Sequence, residues 1–257
     1  AMDAIEGGWP DPVYAHVPLI HGPDGAKMSK RHGAVGVEGY RDEEGVLPEA
    51  LFNYLLRLGW GHGDREEISR EEAVELFDLD GVGKGPARFD IKKLQNLNGH
   101  YIREADDARL AGIVAERIGP DADLTVLTEA MPVLKTRARS INELVDGAGF
   151  LFAKRPLSMT DKAAGLLDEE ARERLAGLSK MLHVQNDWTI EALEATTKAY
   201  AEQLELGLGK LAQPMRAALT GTTTSPGIFD VLVLLGKEES LLRIDAQASP
   251  TGTDENE

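Results

Sequence analysis

In the stretch His16-Val-Pro-Leu-Ile-His-Gly-Pro-Asp-Gly-Ala-Lys-Met-Ser-Lys-Arg-His-Gly33, an apolar half meets a basic one. Upstream of it and into it, Val13, Ala15, Val17 and Leu19 alternate with other residues. That period of two predicts a short extended segment through Ile20, and Pro18 pushes it toward a sheet edge or strand end. His21-Gly-Pro-Asp-Gly25 has the composition of a turn, and Ala26 to Gly33 follows as a polar, basic loop closed by glycine. Lys27-Met-Ser-Lys30 alone is weak evidence, because two lysines around small residues suit any exposed turn. Electrostatics offers a second use. A loop that brings two ammonium groups and a hydroxyl over a triphosphate neutralises charge as pyrophosphate leaves. Such a loop belongs after a strand at the carboxyl edge of a parallel sheet, where nucleotides bind. Strand, then loop, is the order found here.

Outward from this stretch the apolar period lengthens. Pro48 suits a first helical turn, and Leu51, Tyr54, Leu55 and Leu58 recur at helical steps until Gly59. Gly59-Trp-Gly-His-Gly63 is a glycine-rich turn, and Ser69-Arg-Glu-Glu72 is a capping box opening a helix through Phe77. Asp90 is the expected N-cap of a helix with Ile91, Leu94 and Leu97 on its inner face. Beyond Glu104 every patterned segment reads as helix: 104–118, 123–134, 136–152, 161–183, 189–206, 208–220 and 225–235. Thr189 caps one of these and Gly207 ends it. Residues 246–257 are polar and acidic, and are expected to be disordered. The expected fold is therefore mainly α: a short α/β portion, then an all-α limb, with the composition shifting near 104–110.

The 257 residues suggest two or three domains and include no cysteine, which removes disulfides, thiolate metal sites and cysteine nucleophiles together. A reducing cytoplasm fits that composition. No apolar run approaches the roughly 18–20 residues that span a bilayer, so a helical membrane protein is excluded. With 44 acidic and 28 basic side chains the net charge is −16, which argues against a generic nucleic-acid coat. The positive charge is nevertheless gathered. Lys84, Arg88, Lys92, Lys93 and Arg103 stand against Asp90 alone, and Lys135, Arg137, Arg139, Lys154 and Arg155 stand against Glu143 and Asp146. Solvated helix faces explain such islands as well as two contact points for one polyanion do, although local potential rather than net charge steers a phosphate backbone.

Taken whole, His16 to Gly33 resembles the second signature of class I aminoacyl-tRNA synthetases in its glutamyl-tRNA synthetase version. Glu49-Ala-Leu-Phe-Asn-Tyr-Leu-Leu-Arg-Leu-Gly-Trp60 is similar to the helix that follows this loop in that family, and Phe89 to Ile102 to the next block. Position 96 is Asn where the family pattern has tryptophan. Pro214-Met-Arg-Ala-Ala-Leu-Thr-Gly221 and Pro226 to Lys237 resemble the last helical bundle. The first class I signature, His-x-Gly-His, has no counterpart, so the expectation is the C-terminal portion of such an enzyme, lacking its N-terminal ATP-binding half.

The resemblance implies a ligase that attaches glutamate to tRNA(Glu) through a glutamyl-adenylate, using ATP and Mg2+ as substrates of the full enzyme. On that basis residues 1–35 end the catalytic domain with the lysine loop, and 36–104 form a stem-contact region. Residues 105–180 and 181–245 form two anticodon-binding helical subdomains, before the tail at 246–257. Lys27 and Lys30 are the implied catalytic residues, and Lys27, Ser29, Lys30 and Arg31 the ATP contacts; no metal ligand is implied. Lys84, Arg88, Lys92, Lys93 and Arg103 are candidates for RNA phosphates, and Arg137 and Arg139 for the anticodon. The last two are placed on a predicted helix, where a two-residue offset turns them about 200° apart. Tyr54, Trp60, Phe150 and Phe152 are read as core, and Trp188 as a hydrophobic staple.

The implied partners are tRNA(Glu), with ATP and glutamate in the full enzyme, and neither membrane nor DNA; a cytoplasmic monomer is the family expectation. The isolated portion is expected to bind tRNA without catalysing. The competing readings are a glutaminyl enzyme, a shortened tRNA-modifying relative, a non-catalytic tRNA-binding scaffold and an unrelated acidic helical protein. The helical pattern after residue 104 disfavours the β-barrel anticodon domains of the glutaminyl enzyme.

Overall fold

The computed structural model describes residues 13–28 and 36–248, and the chain divides into two compact units. The first comprises residues 1–105 with 138–142, the second 106–137 with 143–257.

In the first unit, β1 (Ile20–His21) pairs in parallel with β2 (Ala87–Arg88), with Ile20 opposite Ala87 and His21 opposite Arg88. The extended segment expected over 13–20 is strand only at its end; Val13, Tyr14, Val17 and Leu19 are exposed and outside regular structure. A short α1 (Val37–Asp42), unmarked by periodicity, leads to α2 (Pro48–Gly59), which starts on Pro48 as anticipated. α3 (Arg70–Leu76) has the capping box: Ser69 Oγ accepts from the Glu72 N–H at 3.1 Å, and Glu72 Oε2 accepts from the Ser69 N–H at 3.0 Å. α4 (Ile91–Glu104) is capped by Asp90, whose Oδ1 accepts from the N–H groups of Lys92 and Lys93.

α2 and α4 pack together, with Leu51, Tyr54, Leu94 and Ile102 buried. Fully burying a side chain such as Leu94 stabilises by about 1.5–3 kcal/mol. Tyr54 is core, and its hydroxyl donates to the Asp90 carbonyl and accepts from the Asp90 N–H, joining α2 to the start of α4. Trp60 is core too, donating its indole N–H to the Asp78 carbonyl at 2.9 Å. Asn98, fully buried, accepts from the Leu47 N–H and donates to the carbonyls of Gly45 and Arg139.

The second unit is all helix: α5 (Asp107–Ile118), α6 (Leu124–Leu134), α7 (Ile141–Phe152, entering from the first unit), α8 (Asp161–Ala164), α9 (Glu169–Val184), α10 (Ile190–Gln203), α11 (Gly209–Thr220) and α12 (Ile228–Ala248). α5 packs on α6, and α9 to α12 form a bundle around Leu175, Leu178, Leu193, Met215 and Leu232. Trp188 joins that core, its indole N–H donating to the Leu232 carbonyl. Phe150 is buried and Phe152 half-buried.

The helices expected from 104 and 225 start three residues later, at Asp107 and Ile228, and four further differences have a visible cause. The span 161–183 is two helices, because Asp168 caps a fresh start by accepting from the Ala171 N–H. Thr189 caps α10 as expected, but the helix ends at Gln203, before Gly207, where Glu205 turns to φ 55°. The last helix runs past 235 to Ala248, covering the first residues of the expected tail, by pivoting at Gly236 (φ 73°, ψ 169°). The helix expected from 136 starts at Ile141, so Arg137 and Arg139 precede it. There the Ile141 N–H donates to the Gly45 carbonyl, and Asn98 takes the Arg139 carbonyl. These groups are satisfied outside a helical ladder, so no helix turns Arg137 and Arg139 about 200° apart.

Candidate functional site

The basic loop leaves β1 through a tight hairpin. The Gly22 N–H donates to the Ala26 carbonyl at 2.8 Å, the Gly25 N–H to the Gly22 carbonyl at 3.0 Å, and the Met28 N–H to the Ile20 carbonyl at 3.0 Å. His21 and Lys27 bridge antiparallel, and Lys27 is exposed. Ser29, Lys30 and Arg31 lie outside the described residues. On its other side β1 is held by β2, the N–H groups of Ala87 and Phe89 donating to the carbonyls of Leu19 and His21 at 3.1 and 2.8 Å.

Beside this hairpin the first unit has a cleft of about 730 Å³. Its walls carry Arg57, Arg88, Lys93, His100 and Arg103, with Trp60 on the apolar side. Of the five candidates for RNA phosphates the cleft gathers three, Arg88, Lys93 and Arg103; Lys84 and Lys92 are exposed but do not line it. Arg57 reaches Glu66 at 3.4 Å and His100 reaches Glu67 at 3.2 Å. The side chains of Arg88, Lys93 and Arg103 have no carboxylate partner among the described residues. Glu66 and Glu67 also line the cleft, held toward Arg57 and His100, which leaves Arg88, Lys93 and Arg103 as three exposed cations on its walls.

Arg57 and His100 were not singled out in the sequence, since helical spacing does not reveal that two different helices face one cleft. Asn96, where the family pattern has tryptophan, is exposed and lines the cleft rather than the core.

In the second unit Arg137 is exposed on the turn after α6. The same unit holds Arg216 of α11, which nothing in the sequence marks as a contact residue. Arg216 Nη1 donates to the Ser225 hydroxyl, to the Pro226 carbonyl at 2.7 Å and to the Ser225 carbonyl at 3.3 Å. Burial first, and the Arg137 charge second, hold the Arg216 pKa below its ordinary value. Arg139, assigned to the first unit, is exposed, and its backbone carbonyl is taken by Asn98. Among the described residues no cluster of His, Asp and Glu forms a metal site.

Comparison with known proteins agrees with this arrangement. Residues 3–96 match the family model of the class I tRNA synthetase (E and Q) catalytic domain, and residues 101–248 that of the anticodon binding domain. The chain is 78% identical over 250 residues to glutamate–tRNA ligase 1 of Erythrobacter litoralis, covering 97% of this chain and 52% of that protein. It is 66% identical over 255 residues to glutamate–tRNA ligase 2 of Novosphingobium aromaticivorans, again covering 52% of it. The crystal structure of a glutamate tRNA ligase from Elizabethkingia meningosepticum, in complex with its amino acid, superposes with a TM-score of 0.79 at 28% identity, over 96% of this chain and 53% of that one. The chain belongs to the glutamyl-tRNA synthetase family of class I. It spans about half the length of the curated relatives it matches.

Proposed function

We propose that this chain supplies the lysine loop and the tRNA-binding surfaces of a glutamate–tRNA ligase, which joins glutamate to tRNA(Glu) through a glutamyl-adenylate. The observation that carries the reading is the cleft, which Arg88, Lys93 and Arg103 line beside the hairpin bearing Lys27, with no carboxylate partner among the described residues. Lys27 and Lys30 are assigned to catalysis, closing with Ser29 and Arg31 over ATP and offsetting charge as pyrophosphate departs. Magnesium belongs to the substrate and arrives with the nucleotide. Arg88, Lys93 and Arg103 take backbone phosphates of the tRNA stem, with Lys84 and Lys92 on its flanks. Arg137 and Arg139 are assigned to the anticodon end, and Arg216 joins them, since its side chain is held near Arg137 and next to the Ser225 hydroxyl. The enzyme is assigned to the cytoplasm as a monomer, and this chain alone binds tRNA without forming adenylate.

Binding of tRNA(Glu) to the chain between 50 and 200 mM salt tests the assignment. Affinity should fall steeply with salt, and Arg88→Gln, Lys93→Gln and Arg103→Gln should each reduce the logarithmic slope by about 1. Binding indifferent to salt and to all three substitutions overturns the reading.

A further inference from the structure

Arg88 has two neighbours that the other cleft cations lack. It sits on β2 directly opposite His21, in the register that pairs β2 with the strand leading into the hairpin. Its side chain reaches the hairpin's tip: Nη2 lies 3.9 Å from the position that a Cβ on Gly25 would occupy. Gly25 has φ 80°, a conformation that side-chain-bearing residues rarely adopt, so the tip is a fixed turn against which a guanidinium can rest. From Ile20 to Met28 the hairpin is closed by three backbone hydrogen bonds, so Lys27 moves with β1 rather than independently of it. The same guanidinium lines the cleft and has no carboxylate partner among the described residues.

We propose that Arg88 is a positioning residue that couples occupancy of the cleft to the setting of the lysine-bearing hairpin. A phosphodiester in the cleft holds the guanidinium where it already lies, beside Gly25, and β2 holds β1 through the Leu19 and His21 carbonyls. Lys93 and Arg103 bind the same polyanion from α4, with no contact to the hairpin of this kind, and contribute affinity alone. The inference rests on the stem-contact reading above, and adds to it a route from RNA to the loop that the reading does not need.

The chain has no cysteine, so Ala26→Cys provides a unique, exposed attachment point for an environment-sensitive fluorophore on the hairpin. Binding is followed separately, by anisotropy of end-labelled tRNA(Glu). With Arg88 in place, saturating tRNA should shift the hairpin signal and slow amide exchange in residues 20–28 about threefold or more, within the range of local opening equilibria. Arg88→Gln should bind about tenfold more weakly, as expected for one lost phosphate contact, and at saturation should leave hairpin signal and exchange unchanged. Lys93→Gln should weaken binding similarly yet keep the full response. Arg88→Lys, which retains charge but not the planar fork, should recover affinity and only part of the response. A full response in saturated Arg88→Gln, or none in the parent chain with tRNA bound, overturns the coupling and leaves the stem-contact assignment intact. Absence of tRNA binding by the parent chain overturns that assignment and the coupling with it.

Discussion

At Arg243 a charged side chain is only 2% exposed. It survives there because four of its five N–H groups find acceptors. Nε donates to Glu239 Oε1 at 2.7 Å, Nη1 to the carbonyls of Phe150 and Leu219 at 2.9 and 2.8 Å, and Nη2 to the Ala153 carbonyl at 3.0 Å. Phe150 and Leu219 lie in the last turns of α7 and α11, where carbonyls lack helical partners and the dipole favours a cation. Arg243→Ala should therefore destabilise by about 3–5 kcal/mol, read from urea unfolding, because several buried acceptors lose their donor at once. Nothing in the sequence marks this residue, since its carbonyl partners stand 24 to 93 residues away. The lysine loop is the opposite case: its meaning lies in adjacent residues, and its resemblance to a family was readable without coordinates.

Among the helices, what was legible is what local chemistry decides. The α3 capping box, the Asp90 cap and the Thr189 cap all follow from side chains bonding within three residues, as the structure has them. Boundaries decided by distant partners were misplaced: α7 begins late because Gly45 and Asn98 hold the residues before it. α12 continues because glycine lets the chain turn at 236 and resume. The α3 box also carries a pH dependence. The Ser69 N–H, and then the nearby Arg65 charge, hold the Glu72 carboxyl below its ordinary 4.5. A lowered folded-state pKa means that the contribution is present above the ordinary value and fades as pH falls through the folded one. Protection of the α3 amides should accordingly decline between about pH 4.5 and lower values in the parent chain. In Glu72→Gln it should stay flat, which amide exchange by NMR can check.

For the molecule as a whole, the proposed RNA contacts fall in both units, the cleft residues in the first and Arg137 with Arg216 in the second. If the cleft grips phosphates and the arginine pair reads bases, affinity and discrimination should be separable. Substitutions at Lys93 and Arg103 should weaken glutamate and glutamine tRNAs alike. Arg137→Ala should narrow the difference between anticodon variants by about 1–3 kcal/mol, the usual worth of a good base contact, while leaving the salt slope nearly unchanged. Filter binding of a small panel of tRNA variants checks both.

The short segment 138–142 belongs to the first unit although the residues on either side of it belong to the second. The polypeptide therefore threads from one unit to the other three times, after residues 105, 137 and 142. No single cut can release either unit whole. A gene shortened to end at Ala105 would strand the Asn98 amide and the Gly45 carbonyl without the backbone that completes them, so a working excision must graft this five-residue strap back in.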